Sequence, residues 1–346
     1  MIDVLAITDR FAKRTIVELE LERLLGVSGM RFAVSFLEND WPVESFQRSH
    51  EVQEFVGSDA VVARMAEDVD VILTHVGPVT ERVFSEARRL RVVGVFRGGP
   101  VNVNIEAATR RGIPVVHAPG RNAPAVAEFT VGLVLAAFRR IPEAHKALIN
   151  GIWRSDLYIF ENSGLELDGR VAGIIGFGNV GARVSALLSG FGMHVLVNDP
   201  YVSREVVAAS GAEPTDLDDL LKRSDVVSIH SRLTEGTRGL VNHSFLGKMK
   251  ADAILVNTSR GGLVNHDDLV DALENGRLRG AALDVYGEEP LDNGSPLLHL
   301  KNVVLTPHIA GASQETAYRG VRQVISDVMA ILKGERPQNC LNPKVL

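Results

Sequence analysis

The chain has 346 residues, 45% of them hydrophobic and 23% charged, with a mean hydropathy of +0.09; at roughly 150 residues per domain this predicts about two soluble globular domains. A formal net charge of −6 leaves no excess of positive charge to hold a phosphate backbone or an anionic bilayer, so no nucleic-acid or membrane partner is expected. The single cysteine, Cys340, excludes an intrachain disulfide and a multi-cysteine metal site; no metal and a cytoplasmic location are expected.

Met1 to Arg10 carries Asp3 and Asp9 and reads as the start of a strand, not as a signal peptide. Short runs rich in Val and Ile then alternate with amphipathic stretches, which predicts an α/β protein with parallel strands joined by crossover helices. Strands are expected at Asp3 to Thr8, Arg31 to Phe36, Asp70 to Thr74, Arg91 to Phe96 and Ile113 to His117, making one small sheet. A long helix should follow from Ala123 to Arg140, capped by Asn122 and tolerating Pro124 in its first turn. The longest apolar stretch, Ala125 to Phe138, is interrupted by Glu128 and falls short of the roughly 20 residues that a membrane-spanning helix needs.

Gly151 to Gly169 shows no steady period and reads as a loop into a second domain. There the alternation restarts, with about six strands expected: Val171 to Ile175, Met193 to Asn198, Asp225 to Ile229, Ala253 to Asn257, Gly280 to Val285 and Val303 to Thr306. The amphipathic stretch Ser313 to Lys333 predicts a last helix long enough to return to the first domain.

The strand Val171 to Ile175 runs into Gly176-Phe-Gly178-Asn179-Val180-Gly181 and then a helical stretch. In that order the first glycine permits a tight turn, the second lets the backbone approach a pyrophosphate, and the third lets helix and strand pack closely. Glycines for packing alone are the plainer reading, but the strand–glycine–helix order favours a dinucleotide. The next strand ends in Asp199, about 20 residues on, where a carboxylate bonds ribose hydroxyls and repels a 2′-phosphate. This argues for NAD over NADP, although an Asp-Pro turn is a compatible reading and Arg204 leaves room for a phosphate.

Ligands of open α/β sheets lie outside the carboxyl ends of the strands, and three titratable residues stand there. Arg260 follows Ala253 to Asn257, Glu289 follows Gly280 to Val285, and His308 follows Val303 to Thr306. Singly they read as a surface ion pair, a turn acid and a loop histidine. Together they supply a planar cation that clamps a carboxylate through two parallel bonds, a base that titrates near neutrality, and an acid to orient it. That set suits hydride transfer between a small 2-hydroxy acid and its 2-oxo acid, with His308 moving the hydroxyl proton.

At these residues the sequence resembles the D-2-hydroxyacid dehydrogenase family, through Gly-Phe-Gly-Asn-Val-Gly, Val-Asn-Thr-Ser-Arg-Gly-Gly, Leu-Asp-Val-Tyr-Gly-Glu-Glu-Pro-Leu and Thr-Pro-His-Ile-Ala-Gly in the family's order. The resemblance implies two Rossmann-like parallel-sheet domains: a discontinuous substrate domain, 1–118 with 312–346, and an NAD-binding domain, 119–311. It implies Arg260, Glu289 and His308 as the catalytic set, Thr130 and Asp284 at the nicotinamide end, and a homodimer formed through the cofactor domains. Arg97, Gly98, Val76 and Gly77 are the expected substrate-binding residues of the first domain.

Two motifs depart from the family. His230-Ser-Arg232-Leu-Thr has Arg232 where a Pro is usual, and Arg97-Gly-Gly-Pro-Val-Asn-Val replaces the commoner Gly-x-Asp-Asn-Val. The second makes transfer of a familiar substrate unsafe; Arg97 reads either as a cation for a distal anionic or hydroxylated group or as half of a surface ion pair. The chain ends soon after its last helix, so the regulatory domain that some family members append is not expected. The other reading of the whole is an NAD(H)-binding sensor or corepressor-like scaffold with little turnover.

Overall fold

A computed structural model describes residues 1–42 and 45–346. The chain divides into two compact units, Met1–Asn122 with Ser313–Leu346, and Ala123–Ala312.

In the first unit the strands are β1 (Ile2–Thr8), β2 (Phe32–Glu38), β3 (Val71–Thr74), β4 (Val92–Val95) and β5 (Val115–His117), and the helices between them are α1 (Arg14–Ser28), α2 (Asp59–Ala66), α3 (Glu81–Glu86) and α4 (Ile105–Arg110). The sheet is entirely parallel in the order β2-β1-β3-β4-β5, with Val4 of β1 opposite both Val34 and Val71. Strands β3 and β4 are buried at every position, which is why they read as unbroken apolar runs: helices cover both faces of such a sheet. One cover is the last helix of the chain (Gln314–Leu332), whose Val321, Val324, Ile325 and Val328 join the core with Val71, Val92 and Phe96. Ser313 caps it by accepting from the Thr316 N–H. This segment clusters with Met1–Asn122 in one compact unit.

The second unit opens with α5 (Ala123–Phe138) and α6 (Ile141–Ile149), followed by two short 3-10 turns, Ser155–Tyr158 and Phe160–Asn162, within the stretch expected as loop. Helix α5 stops at Phe138 and does not run to Arg140, because Arg140 takes a left-handed conformation (φ 55°) and its guanidinium bonds Glu143 and the Asn162 carbonyl. Then come β6 (Val171–Ile175), α7 (Gly181–Gly190), β7 (His194–Asn198), α8 (Arg204–Ala209), β8 (Glu213–Pro214), α9 (Leu217–Arg223), β9 (Val226–Ile229), α10 (His243–Leu246), β10 (Ile254–Asn257), α11 (His266–Glu274), β11 (Gly280–Leu283), β12 (Val303–Leu305) and, in the first unit, α12 (Gln314–Leu332).

This second sheet has seven parallel strands in the order β12-β11-β10-β9-β6-β7-β8, one more than the sequence predicts. The extra strand, β8, is a two-residue edge ending in Pro214, too short for any period to show and tolerant of proline because an edge need not donate. Strand order reverses beside β6, the place where doubly wound sheets open a crevice for ligands. Leu255, Ile229 and Leu283 are wholly buried beneath it; truncating one such leucine to alanine costs about 2–5 kcal/mol, so the strand ends sit on a stiff platform.

Candidate active site

The glycine loop joins β6 to α7, and two of its glycines are required by the chain's own packing. Gly176 has φ 92°, and a Cβ there would lie 2.8 Å from the His230 carbonyl; a Cβ on Gly181 would lie 2.0 Å from the Gly176 oxygen. Gly178 is different: a side chain there would meet nothing within 4 Å, and Gly178 and Asn179 are exposed. Glycine at that position matches a need to admit a ligand to bare backbone, as a pyrophosphate at a helix N-terminus requires. Val180 is half-buried behind them.

Asp199, at the end of β7, binds this loop directly. Its Oδ2 accepts from the Phe177 N–H at 2.6 Å, and its Oδ1 accepts from Tyr201 at 2.7 Å and Val202 at 3.2 Å. The Asp-Pro turn and an acceptor beside the glycine loop are thus one feature, and these residues fit a dinucleotide.

At the opposite half of the same sheet edge, β10, β11 and β12 deliver Arg260, Glu289 and His308. His308 Nδ1 lies 2.6 Å from Glu289 Oε2, while Glu289 Oε1 accepts from the Tyr286 N–H at 3.0 Å. The Glu289 hydrogen bond and charge raise the His308 pKa above its ordinary value, outweighing burial and the repulsion of Arg260. Burial pushes the Glu289 pKa up, but the bonds from His308 and Tyr286, with the charges of His308 and Arg260, hold it below the usual carboxylate range. Arg260 thus acts on both members of the pair. Its own guanidinium is exposed and bonds the Ser259 carbonyl at 2.7 Å.

His308 has φ 54°, a conformation an L-residue holds only when its surroundings over-determine it, as often happens at active sites. The restraint comes from Asp284. Its buried carboxylate accepts from Thr306 Oγ1 at 2.6 Å, Ile309 N at 2.9 Å and Ala310 N at 2.8 Å, bracketing His308. Asp284 therefore reads first as the anchor of the histidine loop. Thr130 is likewise fully buried and committed, donating to the Val126 carbonyl and meeting Thr258 Oγ1 at 2.7 Å, which ties α5 to the end of β10.

Sequence reasoning missed two supports. Tyr286 joins two strand ends, its hydroxyl 3.3 Å from the Leu283 carbonyl and 2.9 Å from that of Thr306. Asn257 donates to the Arg260 carbonyl at 3.0 Å and accepts from Ser259 N at 3.0 Å. Gly261 was the visible signal, since a Cβ there would fall 1.8 Å from the Tyr286 oxygen.

In the first unit, Val76 and Gly77 follow β3 and are buried. Their carbonyls are engaged, Val76 by Val56 N at 3.0 Å and Gly77 by Asn102 Nδ2 at 2.8 Å. No hydrogen bond within the described residues uses either N–H. Arg97 forms an ion pair with Glu54, the plainer of its two expected readings, and the Gly98 carbonyl accepts from His117 Nδ1 at 3.0 Å. Asp9, His75 and Arg121, also at strand ends, were not singled out although the same geometric rule reaches them.

Two open cavities, about 550 Å³ beside Gly164 to Arg170 and about 580 Å³ beside Asp9 to Asp40, touch none of the catalytic candidates. Among the described residues no group of three or more His, Cys, Asp or Glu is placed to hold a metal ion, and no helix is long and apolar enough to cross a membrane.

A family model described as "D-isomer specific 2-hydroxyacid dehydrogenase, NAD binding domain" matches residues 131–310. Glyoxylate reductase of Thermofilum pendens is 40% identical over 299 residues, covering 86% of this chain and 88% of that protein. D-3-phosphoglycerate dehydrogenase of Methanocaldococcus jannaschii is 40% identical over 278 residues, 80% of this chain; the chain spans 52% of that protein's length. Among solved structures, D-lactate dehydrogenase of Escherichia coli superposes with a TM-score of 0.77 at 26% identity, covering 98% of this chain and 99% of that one.

Proposed function

The chain belongs to the D-isomer specific 2-hydroxyacid dehydrogenase family and carries that family's NAD-binding domain in its second unit; from this premise we propose that it interconverts a small D-2-hydroxy acid and its 2-oxo acid. The observation that carries the reading is the convergence of Arg260, Glu289 and His308 at the ends of three neighbouring strands, with His308 bonded to Glu289 at 2.6 Å.

Gly176 to Gly181 and Asp199 hold NAD, with Thr130 and Asp284 shaping the nicotinamide end. When bound, nicotinamide supplies the acceptor or donor of hydride. Arg260 clamps the substrate C1 carboxylate through two charge-assisted bonds, which fixes C2 and its oxygen in one orientation. Within the first unit, the Val76 and Gly77 N–H groups are donors suited to binding an acid. Protonated His308 gives its Nε2 proton to the C2 oxygen in reduction, and neutral His308 takes it back in oxidation. Glu289 stabilises the imidazolium and, by accepting from Nδ1–H, leaves Nε2 to face the substrate.

The first unit, residues 1–118 with 312–346 in the sequence reading, acts as the substrate domain and chooses among acids. Trp153, Tyr158 and Phe160 are 80%, 95% and 91% exposed on the second unit, apolar side chains of the kind that interfaces cover; we assign them to a homodimer, for which a monomeric mass in light scattering is the contrary result. The lone free Cys340 suits a cytoplasmic setting in which thiols stay reduced.

The test is NADH oxidation with a panel of 2-oxo acids. Turnover that follows the acid, with the D-isomer as product, supports the proposal. Tight NADH binding with no turnover of any acid contradicts it and returns the protein to the sensor class.

A further inference from the structure

At the ends of β10, β11 and β12 stands one aromatic ring, that of Tyr286, buried in the second unit's core with Leu255, Ile229 and Leu283. Tyr286 follows β11 by three residues and begins the four-residue stretch that ends in Glu289.

Its two polar groups reach both members of the acid–base pair. The Tyr286 N–H donates to Glu289 Oε1 at 3.0 Å, which leaves Oε2 for His308 Nδ1 at 2.6 Å. At the far end of the ring the hydroxyl lies 2.9 Å from the Thr306 carbonyl and 3.3 Å from that of Leu283. A hydroxyl has one proton to give, so the shorter contact is the bond it makes. The same Thr306 carbonyl accepts from the His308 N–H at 3.1 Å. One residue thus holds the acid's side chain through its own backbone, and meets the base's backbone through its own side chain.

The Tyr286 backbone is also pressed against the loop that carries Arg260. A Cβ on Gly261 would lie 1.8 Å from the Tyr286 oxygen and 2.5 Å from the Gly287 nitrogen, so only glycine lets the two chains approach. On another side, a Cβ on Gly287 would lie 3.3 Å from His266 Nδ1, at the start of α11. These contacts confine the stretch from Tyr286 to Glu289 but do not tie it to β12. The phenol does. Burial, with the charges of Asp284 and Glu289, pushes that phenol up to about 12 against the Thr306 bond. The hydroxyl therefore keeps its proton and stays a donor throughout the range in which a histidine titrates.

Resting on the dehydrogenase reading, we infer that Tyr286 is a positioning residue for the reaction, its N–H and its hydroxyl together setting the reach of Glu289 to His308 and so the basicity of the ring that delivers the proton. Without the hydroxyl, the Thr306 carbonyl loses one of its two donors while Glu289 keeps its amide bond. The contact between Glu289 and His308 should then loosen, and the charged imidazole is favoured less. Asp284 still brackets His308 through Thr306, Ile309 and Ala310, so the loss is partial.

The test is Tyr286→Phe in the full chain, which keeps the buried ring and removes only the hydroxyl. It is read by NMR titration of the His308 ring and by the pH profile of kcat/KM for 2-oxo acid reduction with NADH. The His308 pKa and the alkaline limb should both move to lower pH. The kcat should fall several-fold, short of the roughly 10²-fold that a misplacement of about 1 Å costs, with NADH affinity by fluorescence titration retained. Leu278→Ala empties a wholly buried position of the same core and is the control: its urea midpoint should fall while His308 titrates as in the wild type. A second measurement needs no variant, since the bonded, buried Tyr286 hydroxyl proton of the wild type should exchange far more slowly than an exposed one. An unmoved His308 pKa and limb in Tyr286→Phe, an equal shift in Leu278→Ala, or fast exchange of that proton overturns the role of Tyr286 and leaves the dehydrogenase reading intact. Failure of the wild type to reduce any 2-oxo acid overturns that reading, and the ring titration, which uses no substrate, still decides whether Tyr286 sets the His308 pKa.

Discussion

Each unit presents a histidine paired with a carboxylate at the ends of parallel strands, and the two pairs behave in opposite ways. His308 and Glu289 are 2.6 Å apart with side chains 47% and 32% exposed, while His75 and Asp9 are 2.8 Å apart and 4% and 1% exposed. His308 is raised above its ordinary pKa because the Glu289 bond outweighs burial. His75 is lowered because burial dominates, with the charges of Arg121 and Arg97 adding to it against Asp9. Pair geometry alone therefore does not make an acid–base catalyst. An arginine opposes protonation in both pairs, so it is the balance of burial against the carboxylate bond that decides which imidazole can accept a proton near neutral pH.

The largest expected effect comes from removing the responsive histidine. His308→Gln should lower kcat for 2-oxo acid reduction by roughly 10²-fold to 10⁴-fold, the range for a lost general acid, with NADH affinity by fluorescence titration retained. Next comes Arg260→Lys, which keeps the charge but loses the planar fork. It should raise KM for the acid and lower kcat together, and an unchanged kcat/KM would remove Arg260 from the carboxylate clamp.

Glu289→Gln changes less but separates the pair's members. In the wild type, reduction requires imidazolium, so kcat/KM should fall as pH rises through a value above the ordinary His pKa of about 6.5. An amide no longer favours the charged ring, so that limb should move to lower pH in the variant. The pair's contribution to stability follows from the same shifts. The His308 part is complete below about 6.5 and is lost as pH rises through the raised value. The Glu289 part is complete above about 4.3 and is lost as pH falls through the lowered one.

The smallest effect concerns the silent pair. A histidine whose folded pKa is lowered makes the unfolded chain bind more protons, so its contribution is complete above about 6.5 and declines as pH falls toward the folded value. Arg121 Nη2 donates to His75 Nε2 and, since arginine has no acceptor to offer, His75 carries its proton on Nδ1 and donates it to Asp9. His75→Gln can keep both hydrogen bonds while removing the titration. Its urea midpoint should be lower than wild type at pH 7.5, through lost stacking on Phe11, yet drop less between pH 7.5 and 5. An equal drop would mean that His75 titrates the same way folded and unfolded.

The sequence made the second unit's site readable because its residues carry local signals. Glycines mark the β6–α7 turn and the close approach of Gly261 to Tyr286, and Arg260, Glu289 and His308 each follow a legible strand. The first unit's cluster of Asp9, His75, Arg97 and Arg121 was hidden because its members come from four strand ends, joined only by the fold. Nothing local to Arg97 announces Glu54, and nothing near Arg121 announces His75. Strand β8 was illegible for a simpler reason, being two residues long at a sheet edge. Asp284 shows a third limit: its position was visible, but that its carboxylate is spent on holding the His308 loop follows only from where Thr306, Ile309 and Ala310 lie.

The most direct test of the contrast between the two pairs is an NMR titration of the histidine rings in the full chain, with His308→Gln and His75→Gln assigning the two resonances. The account predicts that His308 titrates above about 6.5 and that His75 stays neutral, with its proton on Nδ1, throughout the range in which His308 changes charge. A His308 resonance that titrates below that value, or a His75 resonance that titrates above it, would contradict the account.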